Sequence, residues 1–151
     1  MTIHYRKGNL LDVKSGIILH GCNAQGVMGS GVALAIKKNY PLVYQDYLVE
    51  YEYRNKKLYT GICIKTWVSD DLMVISGITQ QFYGKDGKRY VNYVDLVKCF
   101  DEAIGVASAY DYSLNFPKIG AGLGGGDWNI IEQLINDCDP EDKVEKICWE
   151  L

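Results

Sequence analysis

The sequence predicts an α/β domain of three layers, α/β/α, built on a mixed, mostly parallel central sheet. Three observations lead there. Short apolar, β-rich runs alternate with segments of helical periodicity along the chain, the pattern that buries a sheet between helices. Two of the apolar runs lead through glycine clusters directly into helices. No internal repeat, low-complexity tract or linker interrupts the pattern, so one domain over residues 1–151 is expected.

The elements follow in order. Ile3–Lys7 alternates weakly and reads as a first strand ended by Gly8-Asn9, and Gly16–His20 is an apolar run suited to a buried strand. After the glycine turn Gly26–Gly31, Val32–Lys38 reads as helical and stops at Asn39-Tyr40-Pro41. Pro41 suits the first turn of a second helix, whose Tyr44, Tyr47, Leu48 and Tyr51 fall at helical spacing, a stripe expected in the core. Gly61–Val68 and Leu72–Ile78 are β-rich and separated by the polar turn Ser69-Asp70-Asp71. Thr79–Arg89 reads as a loop. A helix is predicted from Asn92 or Tyr93 to about Ser108, a strand over Ser113–Lys118, a helix over Asp127–Asn136 and a closing strand over Val144–Trp149.

Bulk properties bound the function. The hydrophobic content of 48% and charged content of 23% are those of a soluble globular domain. No apolar stretch reaches the ~18 residues of a membrane span, and the basic N-terminus is not followed by an apolar block. A cytoplasmic location without membrane association is therefore expected. Five irregularly spaced cysteines without C-x-x-C, and only His4 and His20 beside them, argue for reduced thiols and against a metal site. The net charge of −3 with interspersed signs disfavours a nucleic-acid partner held through a basic face. A small-molecule ligand, no cofactor and a monomer are expected. A phosphorylated ligand would then be held by backbone N–H groups rather than by cationic side chains.

That focuses attention on Gly26–Gly31 and Gly120–Gly126, each lying between a strand and a helix. A helix N-terminus offers unpaired N–H groups and the positive end of a dipole, and glycine admits a ligand without a Cβ in the way. Two such loops point to a ligand with more than one phosphate. Gly120-Ala121-Gly122-Leu123-Gly124-Gly125 matches G-x-G-x-x-G, but only one further strand follows it, too little for a dinucleotide fold. Neither cluster continues as Gly-Lys-Ser/Thr, which excludes a Walker loop.

The arrangement resembles the macrodomain family over nearly the whole chain. The segments that carry the likeness are Gly8-Asn9-Leu10, His20-Gly21-Cys22-Asn23 running into Met28-Gly29-Ser30-Gly31-Val32-Ala33, and Phe116 to Gly125 with Trp128 beyond. The likeness is greatest to the branch holding the yeast-type ADP-ribose 1″-phosphate phosphatase and the terminal ADP-ribose glycohydrolases. It implies an ADP-ribose ligand, or its 1″-phosphate, contacted through all three segments. Asn9 stands where the family reads the adenine amino group, with Leu10 adding backbone contact. Asn23 stands where an asparagine meets the distal ribose. Gly29 to Ala33 would form the first phosphate loop, and Ile119, Gly120, Ala121, Gly122, Leu123, Gly124 and Gly125 the second.

One departure matters for chemistry. The glycohydrolase members carry a lysine after the fourth-strand region and an aspartate in the second loop. This chain has Gln80-Gln81 in the first place and Gly124-Gly125-Gly126 in the second, so lysine-dependent deacylation is not expected. Hydrolysis of ADP-ribose 1″-phosphate by a slow enzyme remains the leading expectation, with His20 as water activator and Asn23 orienting the ribose. The alternatives are an ADP-ribose reader without turnover, or removal of ADP-ribose from protein or nucleic acid by a lysine-free route. A backbone-bonded His20 is an equal reading, and Asp127 is better read as a helix cap than as a base. Tyr83 is a possible cover for the distal ribose. Lys85, Lys88 and Arg89 read as a solvated loop tip that could also meet an anionic part of a larger substrate.

Overall fold

A computed structural model describes residues 3–151; Met1 and Thr2, which open the N-terminal segment read for a leader, lie outside the described residues. Among the described residues six strands form one sheet: β1 (Ile3–Lys7), β2 (Gly16–Asn23), β3 (Cys63–Trp67), β4 (Leu72–Gln80), β5 (Leu114–Phe116) and β6 (Lys146–Glu150), in the order β1-β6-β5-β2-β4-β3. Every neighbouring pair is parallel except β3 with β4, which the turn at Ser69–Asp71 joins as antiparallel neighbours. The helices are α1 (Gly31–Asn39), α2 (Pro41–Tyr53), α3 (Tyr93–Tyr110) and α4 (Trp128–Cys138), with a short 3-10 turn at Leu10–Asp12. This is the mixed, mostly parallel three-layer arrangement expected.

The period of two along β2 divides the core. Ile17 and Leu19 join a cluster with Leu96, Phe100, Ile104, Ile131 and Ile135 of α3 and α4. Ile18 and Cys22 join Ile36 of α1 and Val43 and Tyr47 of α2 on the opposite face. Phe100 and Phe116 meet edge to face at 5.2 Å. Local signals set the helix ends: Pro41 occupies the first turn of α2, and the Asn92 side chain accepts the Asp95 N–H at the start of α3. Among the described residues, no helix is long and apolar enough to cross a membrane.

The connection from α4 to β6 is organised around a buried lysine and two aspartates. Lys146 is fully buried, and its Nζ donates to Asp139 Oδ2 at 2.5 Å, Val144 O at 2.9 Å and Asp142 Oδ1 at 3.0 Å. Asp139 in turn accepts the N–H groups of Lys143 and Val144. Burial alone would raise its carboxyl, but Lys146 and these N–H groups outweigh that and hold it below the ordinary carboxylate value. The three ammonium protons all have acceptors, which is the condition under which a buried cation is tolerated.

Candidate functional site

The parallel strands end together along one edge, and there a cleft of about 570 Å³ opens. Ligand-sized clefts span ~300–1,000 Å³, and the C-terminal edge of an open α/β sheet is where they form. Three segments wall it: Gly21–Asn23 running into Val27–Ala33, Pro117–Gly124 without Ala121, and Thr79–Gln80 with Tyr83–Lys85. None of the described residues lining it is acidic, and two are lysines. In a chain of net charge −3, that makes the cleft a local home for an anion.

The first loop is held from beneath by α2. The Tyr47 hydroxyl donates to the Asn23 carbonyl at 2.6 Å and accepts the Gly26 N–H at 3.0 Å. Tyr44 donates to the Gly26 carbonyl at 3.1 Å, and a Cβ on Gly26, whose φ is +81°, would stand 2.8 Å from the Tyr51 ring. The tyrosine stripe is thus core packing and loop scaffold at once. Asn23 is fixed by the same loop: its Nδ2 donates to the Val27 carbonyl at 2.9 Å, and its Oδ1 accepts the Gln25 N–H at 2.9 Å. At the mouth of α1, Ser30 makes no side-chain cap and the first turn carries no acid. The positive end of α1 therefore faces the cleft unneutralised.

The second loop folds on itself and on its neighbour. Gly126 N–H bonds to Gly120 O at 2.8 Å, and Gly125 N–H to Gly122 O at 3.0 Å. Among the described residues, nothing accepts the N–H groups of Gly122, Leu123 or Gly124, which are left for a ligand. Gly124 O accepts the N–H groups of Tyr90 and Val91 at 2.7 and 3.0 Å, so the segment after β4 is stitched to this loop. Gly21 brings β2 close beneath: a Cβ there would stand 2.8 Å from Thr79 Oγ1 and 3.0 Å from Ile119 Cγ1.

A family model described as the Macro domain matches residues 19–135. The chain belongs to the Macro domain family. Among related proteins, the ADP-ribose 1″-phosphate phosphatase of Candida glabrata is 29% identical, with 91% of this chain and 93% of that protein covered. The DNA ADP-ribosyl glycohydrolase of Mycobacterium tuberculosis is 27% identical over 88% of this macrodomain, which spans 37% of that protein. Among solved structures, the macrodomain of Mycobacterium tuberculosis DarG superposes with a TM-score of 0.82 at 22% identity, covering 99% of this chain and 98% of that one. The two relatives' names share one chemistry, hydrolysis of a bond to ADP-ribose.

Within this macrodomain the expected site residues divide. Gly21, Cys22, Asn23, Met28, Gly29, Ser30, Gly31, Val32, Ala33, Ile119, Gly120, Gly122, Leu123 and Gly124 line the cleft. Ala121 and Gly125 belong to the second loop without lining it. Gly8, Asn9 and Leu10 follow β1 at the same sheet edge but outside the cleft wall; Asn9 Oδ1 accepts the Leu11 N–H, and Leu10 is buried. The described cleft lining also holds Val27, Thr79, Gln80, Gly84, Pro117 and Lys118, which are not among the expected site residues, and Tyr83 and Lys85, expected only as a ribose cover and a loop tip. The sequence predicts a loop at Thr79 and Gln80, whereas they end β4 and so reach the site. Asp127 is a cap: its Oδ1 accepts the Asn129 N–H at 2.9 Å.

His20 stands away from the place expected for a water activator. It does not line the cleft but is fully buried beneath it, with Nε2 2.8 Å from Ser76 Oγ. Burial pushes its pKa down from 6.5 to about 4. A neutral ring shut away from solvent has no route to an attacking water, so His20 supports the floor of the site instead. Burial likewise drives the Cys22 thiol well above its ordinary range, leaving it protonated and inert. A measurable consequence concerns stability. Between pH 4 and 6.5 the unfolded chain binds a proton that the native ring refuses, so the contribution of His20 is full above 6.5 and falls away toward 4. Urea unfolding should show a loss of about 3 kcal/mol across that window, and His20→Gln should flatten that part of the slope. An unchanged slope in the variant would show that His20 titrates normally in the fold.

Proposed function

We propose that this macrodomain binds ADP-ribose and hydrolyses ADP-ribose 1″-phosphate to ADP-ribose and inorganic phosphate. The observation that carries the reading is the cleft itself, whose described residues give two loops with free N–H groups, an uncapped helix end, lysines and no carboxylate. Such a lining suits a ligand bearing several phosphates and offers, among its described residues, no carboxylate for attack on a sugar carbon. The phosphatase relatives, covered over most of their length, support the same choice.

In the reaction, water adds to the 1″-phosphorus, the bond from phosphorus to the 1″-oxygen breaks, and that oxygen leaves as a hydroxyl after taking up a proton. Asn23 orients the distal ribose. The loop N–H groups stabilise charge on the phosphoryl oxygens, a contribution of ~3–4 kcal/mol per well-placed donor. With no strong base among the described lining residues, turnover is slow. Purified protein incubated with the ester should release phosphate, and Asn23→Ala should release markedly less. Phosphate release no greater than that of a protein-free control would sink the reading.

The absence of an acid or an accessible histidine among the described lining residues favours a second reading, an ADP-ribose reader without turnover. Calorimetric binding of ADP-ribose with no phosphate released from the ester would select it.

A further inference from the structure

We propose that Lys85 is the specificity-determining residue of this cleft: its ammonium binds the phosphate monoester dianion on the distal ribose and so distinguishes ADP-ribose 1″-phosphate from ADP-ribose. The inference rests on the phosphatase reading above. Two cations line the cleft, Lys85 and Lys118. Lys118 is neutralised by Glu150, whose Oε1 lies 3.0 Å from its Nζ. Lys85 makes no ion pair or hydrogen bond among the described residues. A phosphate monoester brings up to two negative charges to the cleft, and among the described residues this wall meets them with an uncommitted positive charge.

The segment carrying Lys85 is a built wall. Asp86, its immediate neighbour and the nearest acid in sequence, is engaged elsewhere: its Oδ1 accepts the Tyr90 hydroxyl at 2.8 Å and the Lys88 N–H at 3.1 Å, and its Oδ2 lies 3.8 Å from Lys88 Nζ. Arg89 is turned over the Tyr93 ring, 4.7 Å from its centre. Gly84 lies so close to Tyr90 that a Cβ would stand 2.3 Å from its hydroxyl, and Gly125 packs as tightly on Lys88. Tyr90 and Val91 hang from Gly124 O. The acid and the other two cations of the segment are thus tied back, and Lys85 stands with Tyr83 and Gly84 in the cleft lining.

The test is calorimetric titration of ADP-ribose 1″-phosphate and of ADP-ribose into the full chain, its Lys85→Gln variant and its Lys85→Arg variant. Lys85→Gln should weaken the ester roughly tenfold and ADP-ribose less than about twofold, with Lys85→Arg keeping most of the difference. Retained ADP-ribose binding is the control for an intact fold. Added salt should weaken the ester more in the parent than in Lys85→Gln. Equal losses for both ligands, or none for the ester, would overturn the inference. If the parent releases phosphate from the ester while Lys85→Gln binds it undiminished, the inference fails and the phosphatase reading stands. If the parent neither binds nor hydrolyses the ester, the phosphatase reading fails and the inference falls with it.

Discussion

A Gly125→Val variant should fold and yet lose ADP-ribose affinity by about a hundredfold, or about 2.7 kcal/mol. Gly125 does not line the cleft; its effect is exerted through the backbone. At φ +73° a β-branched residue is strained by ~1–3 kcal/mol. A Cβ would also stand 2.2 Å from the Lys88 carbonyl oxygen and 2.8 Å from the Arg89 Cα, and neither is the far end of a flexible side chain. The segment after β4 must therefore move off the second loop, and the hydrogen bonds from Tyr90 and Val91 to Gly124 go with it. The core clusters contain neither Gly125 nor Lys88, so cooperative unfolding should survive. Gly105→Ala is the control, because nothing lies within 4 Å of its added methyl. It should bind as the parent does and gain slightly in stability. Calorimetric affinity of Gly125→Val within threefold of the parent would show that the contact between loop and wall is dispensable.

The second large effect concerns stability and not the ligand. Lys146→Met should cost about 3–5 kcal/mol in urea unfolding, because Asp139 would keep its buried carboxylate without the cation that offsets it. Asp139 is only 3% exposed, so water cannot take over. Its lowered pKa gives the sign of the pH dependence: the pair stabilises above the ordinary carboxylate value, and that contribution is lost as pH falls through the folded value. A Lys146→Met, Asp139→Asn double variant should recover part of the loss, since it removes the stranded charge. A double variant as unstable as the sum of its two singles would argue that the two side chains act independently.

Most of the fold was legible because its signals are local. Apolar runs, the proline opening α2 and the glycine clusters each report on a few neighbouring residues, and each marked a real element. Strand ends were less legible. The apolar run in β2 stops at His20, so local pattern ends the strand there and places His20 at the sheet edge. The pairing with β4 instead continues to Asn23, and that buries His20 three positions inside. Gly21 hides the alternation that would have shown this, since glycine has no side chain to place on either face. The end of β4 behaves alike: Thr79 and Gln80 carry no apolar signal, yet they belong to the strand. The stripe of Tyr44, Tyr47, Leu48 and Tyr51 packs in the core as its spacing predicts, with Tyr47 buried and the other three partly buried, but spacing reports which face is covered, not where a hydroxyl finds its partner. The position of Lys85 on the cleft wall depends on contacts with residues some forty positions away, which no local pattern encodes.

The shared carbonyl of Gly124 has one more consequence, for hydrogen exchange. Its residue lines the cleft on one side while its oxygen holds two amides on the other. Whatever steadies the second loop from within the cleft also steadies the Tyr90 and Val91 amides, although neither residue lines it. Those two amides are built-in reporters of occupancy, and slower exchange there would register a bound ligand in a spectrum before any chemistry is assayed.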